Sequence, residues 1–251
     1  MTTAEMIKTR SLRSHVGLVV GAVLFLMALG PIQALGQVLA QPPLEPADTV
    51  GAAIGTALSG GSTAAVIAGV LGVLSVTSEY PTGLIRTTLW AVPRRLLAIL
   101  GKASALVLVL GPATLVSAGV AIEASRQILS RIGAPLSWAE LAPWRATVAM
   151  TLYVLGWALL GQCLGWLLRS AVGASFGLLG LMFVLPLIGV VLPDSLSRAI
   201  SPFLVSEAGA AMMRVDGAGS GLAPTTATVV WVAWIVIGLV SAATALRRRD
   251  A

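Results

Sequence analysis

"VGLVVGAVLFLMALG" (residues 16–30) and, far down the chain, "FGLLGLMFVLPLIGVVL" (residues 176–192) are apolar on every side. A strand of a membrane barrel would alternate apolar and polar residues over about ten positions, and a helix at the surface of a soluble protein would keep a polar face. Neither pattern is present. In lipid every backbone N–H and C=O must be satisfied within the segment, so a stretch that is apolar all round reads as a spanning helix.

The rest of the chain agrees. Of its 251 residues, 57% are hydrophobic and 10% charged, with a mean hydropathy of +0.94, whereas soluble domains carry charge on about a quarter of their residues. Uncharged stretches cover residues 16–44, 49–78, 103–122, 146–168, 170–193 and 217–246. A helix rising about 1.5 Å per residue needs roughly 20 residues to cross a hydrocarbon core about 30 Å thick, and each stretch is long enough. The expectation is an all-α integral membrane protein, one transmembrane domain over residues 1–251 with six transmembrane helices.

Lys and Arg set the orientation. With the N-terminus in the cytoplasm, eleven basic residues (Lys8, Arg10, Arg13, Arg86, Arg94, Arg95, Lys102, Arg169 and Arg247 to Arg249) lie inside and five (Arg126, Arg131, Arg145, Arg198 and Arg214) outside. Most of the acids divide the other way. This is the positive-inside asymmetry, and it predicts a multi-pass protein with both termini cytoplasmic. The formal charge of +6 then anchors orientation and meets lipid headgroups rather than nucleic acid. The apolar run after "MTTAEMIKTRSLRSH" is longer than the h-region of a cleaved signal peptide, about 7 to 15 residues, so the first span is expected to be retained. Residues 1–15 form a cytoplasmic segment, with a short amphipathic helix on the membrane surface as the alternative.

Chemistry is hard to find. Cys163 is the sole cysteine and His15 the sole histidine, so neither a disulfide nor a His- or Cys-based metal site is expected. The six span interiors hold no Asp, Glu, Lys or Arg, which speaks against a proton relay. The only Gly-Lys pair, "GKAS" at Gly101, has neither the upstream Gly nor the following Ser or Thr of a phosphate-cradling loop. "DGAGSG" at 216–221 reads as a flexible connector. The chain is a membrane body with no energy source of its own and is not expected to be an enzyme.

One charged stretch interrupts the middle of the chain: "SEYPTGLIRTTLWAVPRR", residues 78–95, between the second and third spans and on the cytoplasmic side. Wound as a helix it puts Leu84, Ile85, Thr88, Leu89 and Val92 on one side and Gly83, Arg86, Thr87 and Trp90 on the other. Ser78 would be its N-cap, Glu79 would sit in its first turn, and Pro93 would end it. An amphipathic connector resting on the headgroups is one reading of this pattern, and a handle for a partner protein is the other.

The residues Glu79, Tyr80, Gly83, Ile85 and Arg86, then Pro93, Arg94 and Arg95, then Lys102 at the head of the next span, resemble the cytoplasmic loop of type-2 ABC exporter permeases. Leu84 departs from the small hydroxyl residue common in that family. The resemblance implies that residues 78–97 form a cytoplasmic coupling helix that docks in a separate ABC ATP-binding subunit, with Glu79, Tyr80, Gly83, Arg86, Thr87, Arg94 and Arg95 as partner-binding residues. ATP and Mg would be bound by that subunit and no cofactor by this chain. It further implies a second permease half, as homodimer or heterodimer, in a bacterial plasma membrane, and short interfacial helices in the extracytoplasmic loop 193–225. A surface loop without them is the alternative there.

Within the spans, Thr56, Ser59 and Thr63 are spaced to share one face of a continuous second helix, and Gln33, Gln37 and Gln162 are the main polar side chains elsewhere at membrane depth. They are candidates for a substrate path, or pack and bond to helix carbonyls. Gly51/Gly55, Gly161/Gly165 and Gly173/Gly177 permit close helix approach, and Pro112 and Pro186 fall inside spans. The expected function is the membrane subunit of an ATP-driven exporter of a hydrophobic or amphipathic solute. A non-transport scaffold or immunity protein, binding a partner through the same loop, is the runner-up.

Overall fold

A computed structural model of the chain describes residues 13–40, 49–80, 95–133, 136–214 and 221–249. The coupling-loop residues Gly83, Arg86, Thr87 and Arg94 lie outside them, as do residues 1–12 of the N-terminal segment.

The described residues contain helices and no strand. In chain order the helices are α1 (Arg13–Ala40), α2 (Thr49–Ala57), α3 (Gly61–Thr77), α4 (Arg95–Leu129), α5 (Leu141–Leu168), α6 (Ala171–Leu179), α7 (Leu185–Val191), α8 (Asp194–Ile200), α9 (Val205–Met213) and α10 (Pro224–Arg249). Four of them, α1, α4, α5 and α10, are long and apolar enough to cross a membrane, and the bent pair α2–α3 makes up to five. Such helices suit a membrane-embedded protein.

The second apolar run is not one straight helix. Leu58 to Gly60 form a turn between α2 and α3, which meet at 41°. Consecutive glycines cost helix stability, and here the close approach of α1 uses the room they leave. A methyl group on Gly60 would overlap the Phe25 carbonyl, and one on Gly30 would overlap that of Ala57. Thr56 therefore lies in the last turn of α2, Ser59 in the turn and Thr63 in the first turn of α3.

α5 is the centre of the bundle. Of its apolar window 78% is buried, against 22% for α1 and 17% for α10, and it packs on α3, α4, α6, α9 and α10. Its tightest neighbour is α3, where backbone meets backbone. A methyl group on Gly72 would overlap the Ala158 carbonyl, and one on Gly161 that of Gly69. Gly161 and Gly165 thus serve close packing, whereas a methyl group on Gly55 would meet nothing within 4 Å among the described residues and one on Gly177 only the Leu164 and Leu168 side chains.

α6 runs into α7 through a π-helical turn, Gly180–Val184, in which Leu185 N–H donates to the Gly180 carbonyl. Pro186 follows at once. Proline has no N–H and its ring collides with the carbonyl four residues back, and the widened turn ahead of it accommodates both. The helical path is unbroken from 171 to 191. Beyond it, α8, a 3₁₀ turn (Ser201–Phe203) and α9 occupy the segment 193–225.

At one end of the bundle Val76, Ile99, Cys163, Trp166, Ala242 and Leu246 form a separate apolar cluster, with Tyr80 packed against it. The end of α3, the start of α4 and the ends of α5 and α10 therefore meet there. At the opposite end Glu123 accepts hydrogen bonds from Arg126 Nε (2.8 Å), Gln127 Nε2 (2.8 Å) and Trp138 Nε1 (2.8 Å). Trp138 in turn lies 4.8 Å from Trp144, ring to ring.

Candidate functional site

Residues 81–94 connect Tyr80 to α4, and the described side chains that flank this connection are the candidate site. Ser78 does not start a new helix. It is the C-cap of α3, its N–H bonded to the Leu74 carbonyl at 3.2 Å. The chain then tightens: Glu79 N–H reaches Val76 and Tyr80 N–H reaches Thr77, three residues back in each case. This wins over the expected N-cap role because the preceding apolar helix propagates to Thr77 and its last carbonyls need donors.

The tightened turn directs Glu79 into the bundle. Its Oε1 accepts a hydrogen bond from Lys102 Nζ at 2.6 Å, and the two side chains are 2% and 3% exposed. Lys102 Nζ also donates to the Ser75 carbonyl at 3.3 Å. α4 begins at Arg95, so Lys102 stands two turns inside the helix rather than at its head. At about 1.5 Å per residue this helix exceeds a hydrocarbon thickness of about 30 Å by more than half again.

Tyr80 faces the end of α5. Arg169, the C-cap of α5, holds φ at 54°, the only positive φ on a non-glycine among the described residues. Its N–H closes on the Gly165 carbonyl at 3.0 Å, and its guanidinium carbon lies 5.9 Å from the centroid of the Tyr80 ring. A left-handed conformation costs a bulky residue about 1–2 kcal/mol, and cation–π contact and helix capping offset it. Ser170 then caps α6, its Oγ accepting from Gly173 N–H at 3.2 Å. Arg169 and Ser170 alone join α5 to α6.

The expected path residues do not form one lining. Gln37 Nε2 donates to Thr56 Oγ1 at 3.0 Å and so braces α1 against α2 beside the helix break, where the Ser59 hydroxyl is buried with no hydrogen-bond partner among the described residues. Thr63 is half-buried and Gln33 exposed. Gln162 is apart from them: on α5, fully buried, with its backbone against Gly72 and neither amide atom hydrogen-bonded among the described residues. Among the described residues no three His, Cys, Asp or Glu side chains gather to hold a metal ion.

The pairing of Glu79 with Lys102 and the stacking of Arg169 on Tyr80 escape sequence reasoning. The first joins residues 23 apart, and the only signal for the second is a lone arginine between two apolar runs. No protein-family model matches the chain, and no curated protein matches it.

Proposed function

We propose that this chain is the membrane-spanning permease subunit of an ATP-driven exporter, working with a separate ATP-binding subunit and a second permease half. The observation that carries the reading is the buried Glu79–Lys102 pair at the neck of loop 81–94. A loop that transmits force from an ATPase to a bundle must be fixed to that bundle on both sides, and the pair ties the end of α3 to the start of α4. The three motif residues Glu79, Tyr80 and Lys102 are engaged in the bundle's end, which leaves Gly83, Arg86, Thr87, Arg94 and Arg95 as the ones to meet the partner.

Six spans remain our reading: α1, α2–α3, α4, α5, α6–α7 and α10. The path 171–191, at about 1.5 Å per residue, is long enough for a hydrocarbon core of about 30 Å. Lys102, Arg169, Arg247 and Arg248 belong to the end of the bundle that carries the loop, and this supports a cytoplasmic location for it in a bacterial plasma membrane. Closure of the ATPases would then move the loops as levers and the attached helices with them.

Purification from the native host in mild detergent tests the proposal. An ATP-binding subunit is expected to co-elute with the wild type and to be lost from Arg86→Glu, and Gly83→Trp is expected to retain insertion while uncoupling ATP hydrolysis from export. Normal transport by both variants would remove the loop from the mechanism. An intact wild-type protein that brings no ATPase with it would favour the scaffold reading.

A further inference from the structure

At the end of the bundle opposite the ion pair, a groove of about 530 Å³ opens between α5, α9 and α10. Its wall is Leu141, Trp144, Val148, Ala149 and Leu152 from α5, Met212 from α9, and the first turns of α10. Val148 and Leu152 are exposed along its length, and Trp144 and Leu141 at its mouth. α5 and α10 run parallel, since Leu152 lies against Trp231, Cys163 against Gly238 and Trp166 against Leu246. The start of both helices therefore meets at the mouth, and with it the positive ends of two aligned peptide dipoles.

A cation stands at the same place. Arg145 lines the groove, and its Nη2 donates to the Arg214 carbonyl at 2.7 Å. That bond pins the guanidinium while leaving its other N–H groups without a carboxylate among the described residues. Across α9 a smaller polar pocket of about 170 Å³ holds Arg198, Glu207 and Arg214. Glu140, the N-cap of α5, is exposed and makes no cap bond. Among the described residues of the two pockets and the α5 cap, three arginines thus stand against two carboxylates, with helix N-termini adding to the positive side.

An exposed apolar slot with a guanidinium and two helix starts at its mouth has the chemistry of an acyl chain topped by an anion. Tryptophans at the same level, Trp144 on Trp138, match the headgroup boundary of a membrane. We infer that this groove binds one anionic phospholipid of the surrounding bilayer, its phosphate on Arg145 and its chain along Val148 and Leu152. The inference needs only a membrane-embedded chain and stands apart from the transport proposal.

Native mass spectrometry of the detergent-purified protein, equilibrated with phosphatidylglycerol or phosphatidylcholine, tests it. The wild type is expected to retain phosphatidylglycerol in preference. Arg145→Gln should reduce that retention about tenfold, as the loss of one charge-assisted contact does, and Arg145→Lys should restore part of it. Val148→Trp, which fills the slot, should lose the lipid, whereas Arg198→Gln in the neighbouring pocket should keep it. Equal retention of the two lipids by the wild type, or unchanged retention in Arg145→Gln, would overturn the site. A dimer that Val148→Trp converts to a lipid-free monomer would overturn it too, because the groove would then be covered by a second copy.

Discussion

A lysine ammonium and a glutamate carboxylate taken out of water are each expensive, and the 2.6 Å contact between Lys102 and Glu79 is what makes their burial tolerable. Removing one partner takes this contact away while the other side chain stays buried. Lys102→Met is therefore expected to cost about 3–5 kcal/mol of stability, and the double variant Glu79→Leu/Lys102→Met to recover most of it. Thermal unfolding of the four proteins in one detergent reads out this cycle, and equal losses in single and double variants would contradict it. Gln162 gives the opposite expectation. Its amide is buried with no hydrogen bond among the described residues, so Gln162→Leu should raise the melting temperature, by roughly 1 kcal/mol or more of added stability. If the same variant slows export, the amide belongs to the solute's route. The motif already named Glu79 and Lys102 as residues worth watching, but a list of charges carries no pairing. Only the antiparallel return of α4 beside α3 brings them together.

Hydropathy located the helices and misjudged their shape. Averaged over 20 or so positions, "LSGGST" at 58–63 vanishes into its apolar neighbours, and Gly60, which lets α1 in, and Gly61, which faces Met150, were read as part of a span. Pro186 was visible inside a span, yet nothing in the residue order announces that the helix widens to π geometry just before it. Gly161 and Gly165 were recognisable from their spacing. Gly69, which faces Gly161, and Gly72, which faces Ala158, were not, because three-residue spacing and small size describe many glycines in so apolar a chain. The α3–α5 seam is where this matters. Gly72→Ala is expected to cost about 1–3 kcal/mol by forcing the Ala158 carbonyl away, while Gly55→Ala, in open space, should be neutral or better. Heat stability measured side by side distinguishes them.

For the whole molecule, 57% hydrophobic residues and 10% charge pointed to a membrane, and the apolar helices suit a membrane-embedded protein. Among the described residues four helices, or five with the bent pair, meet the length and apolarity expected of spans, and the fifth uncharged run is a helix with a π turn in it. The groove between α5, α9 and α10 was not legible at all. It joins residues from 141 to 228, and Arg145 was counted only as one of five basic residues on the poorer side of the orientation ledger.

The hub position of α5 bears on how the protein is made. A membrane chain enters the bilayer in order from its first residue, so α1 to α4 are delivered while the helix that most of them pack against is still unsynthesised. α3 then waits beside lipid with Gly69 and Gly72 exposed, a narrow stripe that acyl chains fill poorly and that another polypeptide would fill well. Only when residues 141–168 leave the ribosome does the bundle acquire its centre, and α10 arrives after that to cover α5. The vulnerable interval in the life of this protein is thus the time needed to translate from α3 through α5, during which quality-control proteases and membrane chaperones meet a half-built particle.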